Sequence, residues 1–292
     1  MKNFITRTIS AILFVAIMVA GFLRPEGMIF LFALITGMSI WEFTGLVNNI
    51  KSVTVNRFIS TAAGVYLFFA VAGFCSGMTP SAVFIPYLLT IIYLFVSELY
   101  TANENAIHDW AYTMLSQMYI ALPFSTINVL AFNANMSGEI SFNALLPLSV
   151  FIFLWINDAG AYCVGSLLGK HKLFPRISPA KSWEGSIGGG VLVLLVATII
   201  WSIAHMEQPL FDAMNLLTDE NIWGLPAWLG LGLVVVVFGT WGDLVESLFK
   251  RTLGIKDSGS IMPGHGGMLD RFDSSLMAIP AAVVYIYTLT LI

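Results

Sequence analysis

Two short stretches of the sequence hold most of the side chains that could do chemistry. In KRTLGIKDSGSIMPGHGGMLDRFD, residues 250–273, the basic Lys250, Arg251, Lys256 and Arg271 are interleaved with Asp257, Asp270, Asp273 and glycines. If the preceding helix runs through residue 250, Asp243, Glu246 and Lys250 stand at i, i+3 and i+7 on one face. Asp270 and Asp273, at i and i+3, share a face if the next helix opens there. Carboxylates gathered this way repel unless a proton or cation lies between them. Asp oxygens without cysteine or closely spaced histidine ligands suit Mg²⁺ better than Zn²⁺, and Mg²⁺ completes its shell with water and substrate phosphates. The expected chemistry is phosphate handling, with the four basic side chains neutralising the substrate; interface salt bridges such as Asp270 with Lys250 are the alternative. Gly264, Gly266 and Gly267 permit left-handed backbone and close approach of N–H groups to a ligand, and Pro263 sets the direction of entry. His265 either donates to a phosphate oxygen or holds the loop through a backbone carbonyl.

The second stretch is NDAGAYCVGSLLGKHKLFPRISPAKSWEG, residues 157–185. Asp158 sits deep in an apolar run, where an ionised carboxylate costs about 2.5–3.5 kcal/mol unless it is paired or faces water. It is either bonded to a neighbouring helix or part of a cation- or phosphate-handling site. Ser178, Lys181, Ser182 and Glu184 precede a glycine-rich helix start, which reads as an anion site or as an ordinary cap. Lys170, Lys172 and Arg176 would also be satisfied by anionic lipid headgroups. Glu42, in SIWEFTGL, is another costly acid in mid-span, expected to bond a neighbouring helix or line a cavity.

The elements that must carry these residues are set by composition. Of 292 residues, 58% are hydrophobic and 10% charged, against about 25% charged in a soluble domain, and the mean hydropathy is +0.84. That excludes an ordinary water-soluble domain. A bilayer core of about 30 Å needs roughly 20 apolar helical residues. On that ruler nine spans are expected, near 5–23, 27–47, 58–76, 81–98, 111–132, 144–165, 187–204, 226–246 and 274–292. The stretch SQMYIALPFSTINVLAF, interrupted by Pro123, is the least regular. The N-terminal apolar run is read as a span, since no small-x-small cleavage site precedes Arg24 and Pro25. The fold class is thus all-α, a polytopic membrane protein forming one domain over 1–292, with N-terminal helices in 1–143 and the chemistry-bearing helices and loops in 144–292. With nine alternating spans, Lys2, Arg7, Lys51, Arg57, Lys170, Lys172, Arg176, Lys181, Lys250, Arg251, Lys256 and Arg271 fall on one side and only Arg24 on the other, out of 13 basic residues. The positive-inside rule assigns that side to the cytoplasm, so both polar stretches form a cytoplasm-facing pocket. Cys75 and Cys163 lie in apolar runs and read as small buried hydrophobes without a disulfide framework.

The run SLFKRTLGIKDSGSIMPGHGGMLDRFD, residues 247–273, resembles the signature of the phosphatidate cytidylyltransferases, the CDP-diacylglycerol synthases. Ser247, Lys250, Arg251, Lys256, Asp257, Pro263, His265, Gly266, Gly267, Asp270, Arg271 and Asp273 stand at the expected spacing, and residues 157–185 are similar to the family's second landmark. The departures are Met262, where a branched aliphatic or Phe is usual, and Ser182, where Thr is common. The resemblance implies cytidylyl transfer from CTP to phosphatidate, giving CDP-diacylglycerol and pyrophosphate. It implies a metal centre of Asp243, Asp270 and Asp273 holding Mg²⁺, with room for a second cation, and Lys250 and Arg271 as further catalytic groups. It implies substrate contacts from Lys181, Ser178, Ser182, Arg251, Lys256, Asp257, His265, Gly266, Gly267 and Asp158. Membrane lipids, but no nucleic acid, are expected partners; a homodimer and a bacterial inner (plasma) membrane location go with the same resemblance. Two rivals are a polyprenol kinase-like enzyme that attacks the terminal phosphate of CTP, and a transporter using Glu42, Asp158 and Asp243. Against the transporter, charge gathers at one face and no matched pair of broken helices is evident.

Overall fold

The structure is a computed structural model that describes residues 2–101, 105–134, 138–204, 224–259, 261 and 266–291, with side chains from Ser10 onward. Helices α1 (Lys2–Phe22), α2 (Pro25–Val47), α3 (Arg57–Cys75) and α4 (Ile85–Ser97) follow in order, the last behind a 3₁₀ turn over Ser81–Phe84. Then come α5 (Ala106–Ser116), a π-turn over Gln117–Ala121, α6 (Leu122–Ser125) and α7 (Ile127–Ala131). Pro123 has no N–H to donate to the preceding turn, and the chain widens into the π-turn just before it, so 106–131 stays helical instead of breaking. Strands β1 (Phe132–Ala134) and β2 (Ile140–Phe142) pair antiparallel and lead into α8 (Leu145–Leu168). A second hairpin, β3 (Lys172–Phe174) with β4 (Ser178–Ser182), joins α8 to α9 (Trp183–Ala204). The described chain ends with α10 (Leu225–Thr252), the short α11 (Leu269–Phe272) and α12 (Ser275–Leu291).

Seven described helical segments are long and apolar enough to cross a membrane: Pro25–Val47, Arg57–Cys75, Ala106–Ala131, Leu145–Leu168, Trp183–Ala204, Leu225–Thr252 and Leu269–Leu291. The first and fourth expected spans fall on shorter apolar helices, Ser10–Phe22 and Ser81–Ser97. The outward faces of the apolar helices carry exposed Phe58, Leu88, Leu195 and Leu233, the arrangement that hydrocarbon solvates and water does not. The connection between the seventh and eighth expected spans lies in 205–223, outside the described residues. Neither cysteine is buried as expected: Cys163 is exposed on α8 and Cys75 half-buried.

The chain divides into two compact units, Met1–Val129 with Thr252–Phe272, and Leu130–Arg251 with Asp273–Ile292. The polar segment after α10 groups with the N-terminal helices. The cause is visible inside the first unit. Phe272 stacks edge-on against Phe14, Phe32 and Phe124 at centroid distances of 5.7, 6.2 and 5.8 Å. The α2–α3 hairpin beside it is latched by Arg57, which lies 4.1 Å over the Trp41 ring and donates to the Trp41 carbonyl at 2.8 Å.

In the second unit, small residues let helices approach backbone to backbone. A Cβ at Gly160 would lie 2.9 Å from the Gly189 Cα, and one at Gly189 would lie 2.6 Å from the Asn157 carbonyl oxygen. Between α10 and α12, a Cβ at Gly242 would meet the Asp273 carbonyl oxygen at 2.7 Å. Gly189→Val should therefore force α8 and α9 apart at a cost of about 1–3 kcal/mol. A lower thermal midpoint of the detergent-solubilised protein is the expected reading.

Candidate functional site

Helix α10 is the backbone of the site in the second unit. Its 28 residues span about 42 Å at 1.5 Å per residue, longer than the hydrocarbon core, so it continues past the expected end at residue 246. Asp243, Glu246, Ser247 and Lys250 all lie on this last part. Glu246 is fully buried and forms an i, i+4 ion pair with Lys250. Asp243, half-buried, pairs with Lys181 and accepts from the Ser247 hydroxyl at 3.1 Å. Lys181 reaches it because β4 ends at Ser182, whose Oγ accepts from the Gly185 N–H at 3.2 Å and caps α9. Glu184 in the first turn of α9 fastens the other end of the hairpin. It accepts from the Lys170 and His171 N–H groups, each at 3.2 Å, and lies 2.5 Å from His171 Nδ1. Of the two readings open for SPAKSWEG, the cap accounts for Ser182, and Lys181 is delivered to a carboxylate.

Gly242 lets the turn just before α12 lie against α10, which places Asp273 beside Asp243. Asp273 feels the charges of Asp243, Asp158 and Lys250, so three acidic groups and a lysine share one neighbourhood. The neighbouring Asn157 is buried and its Oδ1 has no hydrogen-bond partner among the described residues. Arg251 is exposed and its Nε lies 3.5 Å from the Ile177 carbonyl oxygen, on the hairpin side. Ser178 opens β4 opposite Phe174. Alongside, an apolar cavity of about 450 Å³ lies between α9 and α10, lined by Trp183, Ile187, Val191, Val237 and Trp241 among others.

The first unit holds the rest of the expected residues. Asp270 Oδ2 accepts from the Ser258 N–H at 2.7 Å, the Ser258 hydroxyl at 2.9 Å and the Gly267 N–H at 2.8 Å. Gly266 has φ +83°, and a Cβ there would lie 2.5 Å from Asp270 Oδ2. The left-handed backbone expected at a glycine is present, and what approaches it closely is this carboxylate. Lys256, Asp257 and Arg271 are exposed. His265, with Pro263 and Gly264, lies outside the described residues.

Among the described residues, no group of three or more His, Cys, Asp or Glu side chains is placed to hold a metal ion. Asp270 serves the amides of its own loop. Mg²⁺ commonly takes only one or two carboxylates and completes its shell with water and substrate phosphates. The neighbouring carboxylates of Asp243 and Asp273 fit that demand. Two acids that the sequence marked out find their partners in the structure. Glu246 was legible as the residue four before Lys250 on the same helical face. Glu42 was marked by its cost in mid-span, but the partner that repays it lies 226 residues away.

The sequence pattern of the cytidylyltransferase family matches residues 5–289. A Haemophilus influenzae protein named phosphatidate cytidylyltransferase is 35% identical over 291 residues, covering 94% of this chain and 95% of that protein. Proteins of the same name from Staphylococcus haemolyticus and Staphylococcus aureus are 33% and 34% identical over 275 residues, with the same coverage.

The Glu246–Lys250 pair separates a structural from a chemical role for Lys250. Lys250→Met removes the ion-pair partner of a buried carboxylate and should destabilise by about 3–5 kcal/mol, whereas removing both charges is often neutral. In a thermal-unfolding series, Lys250→Met/Glu246→Leu should regain the wild-type midpoint. If Lys250 also binds phosphate, the double variant stays at least about tenfold less active.

Proposed function

The chain belongs to the cytidylyltransferase family, and on that premise we propose that it transfers a cytidylyl group from CTP to phosphatidate, giving CDP-diacylglycerol and pyrophosphate. The observation that carries this reading is the charged neighbourhood at the end of α10. Two lysine–carboxylate pairs, Lys181 with Asp243 and Lys250 with Glu246, stand beside Asp273 in an otherwise apolar bundle. A transporter would not need lysines and carboxylates matched in this way at one helix end, whereas a reaction joining two phosphorylated substrates does.

In the reaction, a phosphate oxygen of phosphatidate attacks the α-phosphorus of CTP, forming the new P–O–P bond while the bond to the β-phosphate oxygen breaks. No covalent enzyme intermediate is required. Negative charge develops on the departing pyrophosphate, and cationic side chains held in place before the reaction stabilise it without reorganising. Lys181 is the best placed to do so: Asp243 holds its ammonium at the mouth of the site, and a phosphate oxygen can replace or share that carboxylate. Lys250 is oriented by Glu246 in the same manner. Exposed Arg251, Lys256 and Arg271 attract the triphosphate, with Ser178, Ser182, Asp257, His265, Gly266 and Gly267 assigned to substrate contacts by family resemblance. Asp243 and Asp273, joined by Asp270 on the same resemblance, would hold Mg²⁺, which when bound offsets phosphate charge. A second cation is compatible with that donor set. Asp158 contributes negative charge at the edge of the same neighbourhood.

The acyl chains stay in hydrocarbon, since each buried CH₂ is worth about 0.8 kcal/mol, and the apolar cavity between α9 and α10 offers one chain a place beside the site. The reading includes a cytoplasm-facing site in a bacterial inner (plasma) membrane, which rests on the positive-inside distribution of basic residues. It also includes the homodimer expected from the resemblance.

Two measurements test the assignment. With purified protein, phosphatidate, Mg²⁺ and CTP labelled at the α-phosphate, label should enter the lipid in equal amount to the pyrophosphate released; transfer from the γ-phosphate instead would mark a kinase. Asp243→Asn and Asp270→Asn should each lower turnover by a factor on the order of 100 or more, with membrane insertion intact. Near-normal turnover at saturating Mg²⁺ removes that residue from the site.

A further inference from the structure

The Glu42 carboxylate is almost fully buried on α2 and is spent on one short loop. Its Oε1 accepts from the Met268 N–H and its Oε2 from the Leu269 N–H, both at 2.9 Å. The Ser258 hydroxyl lies 3.3 Å from Oε2 and 2.9 Å from Asp270 Oδ2. A hydroxyl has one proton to donate, so Ser258 bridges the two acids and donates to one at a time. The glycines complete the seat: a Cβ at Gly259 would lie 2.6 Å from Glu42 Oε1, and one at Gly267 would lie 2.5 Å from Oε2. Both sides of the carboxylate are walled by α-carbons that carry no side chain.

We propose that Glu42 is the positioning residue for the Asp270 loop, holding Met268, Leu269 and Ser258 so that the Asp270 carboxylate and the adjacent Arg271 keep one orientation for the transfer reaction. Among the described residues between Thr252 and Leu269 the loop has no strand or long helix of its own to define it. Its polar backbone groups must find acceptors within the protein, and a carboxylate makes stronger bonds to N–H groups than a neutral acceptor. Glu42 acts through Asp270 and not on substrate. The proposal rests on the assignment of Asp270 to the transfer site.

The test uses full-length protein in lipid nanodiscs and the isosteric variant Glu42→Gln, which can accept on one atom but not on both. Hydrogen–deuterium exchange over residues 266–270 is read without substrate, and kcat and KM for CTP and phosphatidate are read separately, with Asp270→Asn in parallel. Faster exchange in this segment with kcat lowered about 100-fold, as expected for slight misplacement of a reacting group, and both KM values within about threefold, supports the proposal. Unchanged exchange overturns it, as does faster exchange with normal kcat or a change confined to KM. If Asp270→Asn keeps near-normal turnover, the assignment of Asp270 to the site fails, whatever Glu42→Gln does. Should Glu42→Gln not fold, Ser258→Ala is judged by the same criteria, with a smaller loss of kcat, about tenfold, because the two amide bonds to Glu42 remain.

Discussion

A carboxylate in a membrane helix must be repaid by partners, and the partners of Glu42 determine where the chemistry-bearing loop of this protein lies. The two amides it accepts from are 226 and 227 residues away in sequence. Neither helix α2 nor the loop would be stable in this form alone: the acid would be buried and unpaired, and the amides would lack acceptors. Bringing them together removes both costs at once. The glycines at 259 and 267 are needed because the carboxylate lies where their side chains would begin. Phe272, at the end of the same segment, adds an aromatic anchor against Phe14, Phe32 and Phe124. The boundary between the two compact units consequently passes between Phe272 and Asp273.

The second unit follows a different rule. Its helices approach through positions without side chains, and close approach is what gathers charge. Gly242 allows the Asp273 backbone to lie against α10, one residue from Asp243. The α8–α9 contact, through Gly160 and Gly189, steadies the helices that enter and leave the β3–β4 hairpin, and the hairpin in turn hands Lys181 to Asp243. Each of the two half-buried lysines meets a carboxylate, as a low-dielectric surrounding demands. The remaining basic residues of both stretches, Lys170, Lys172, Arg176, Arg251, Lys256 and Arg271, stay exposed.

Much of this was legible in the sequence, and for a physical reason. Helices in lipid must satisfy their backbone locally, so length and hydropathy along the chain place them, and the observed helices coincide closely with the expected spans. Seven meet the length and hydropathy of a membrane crossing, and the first and fourth expected spans fall on shorter apolar helices. The helical face shared by Asp243, Glu246 and Lys250 followed from the 3.6-residue period once α10 was taken through residue 250. The motif in residues 247–273 pointed to the family, which the match over residues 5–289 shows. The π-turn that carries the chain past Pro123 and the two short hairpins were not legible, because they answer to neighbouring segments and not to local pattern.

Composition, helical period and motif spacing are local quantities, and they suffice for the membrane class, the helix positions and the identities of the candidate residues. Pairing is not local. That Lys250 meets Glu246 was open to a reading of spacing, but that Lys181 meets Asp243, that Asp270 serves the amides of its own loop, and that Glu42 holds that loop depend on contacts between distant segments. Buried polar groups select partners by desolvation cost and geometry, and the fold supplies both. The acid whose role the sequence left open is thus the one the tertiary structure places at the loop where the motif lies.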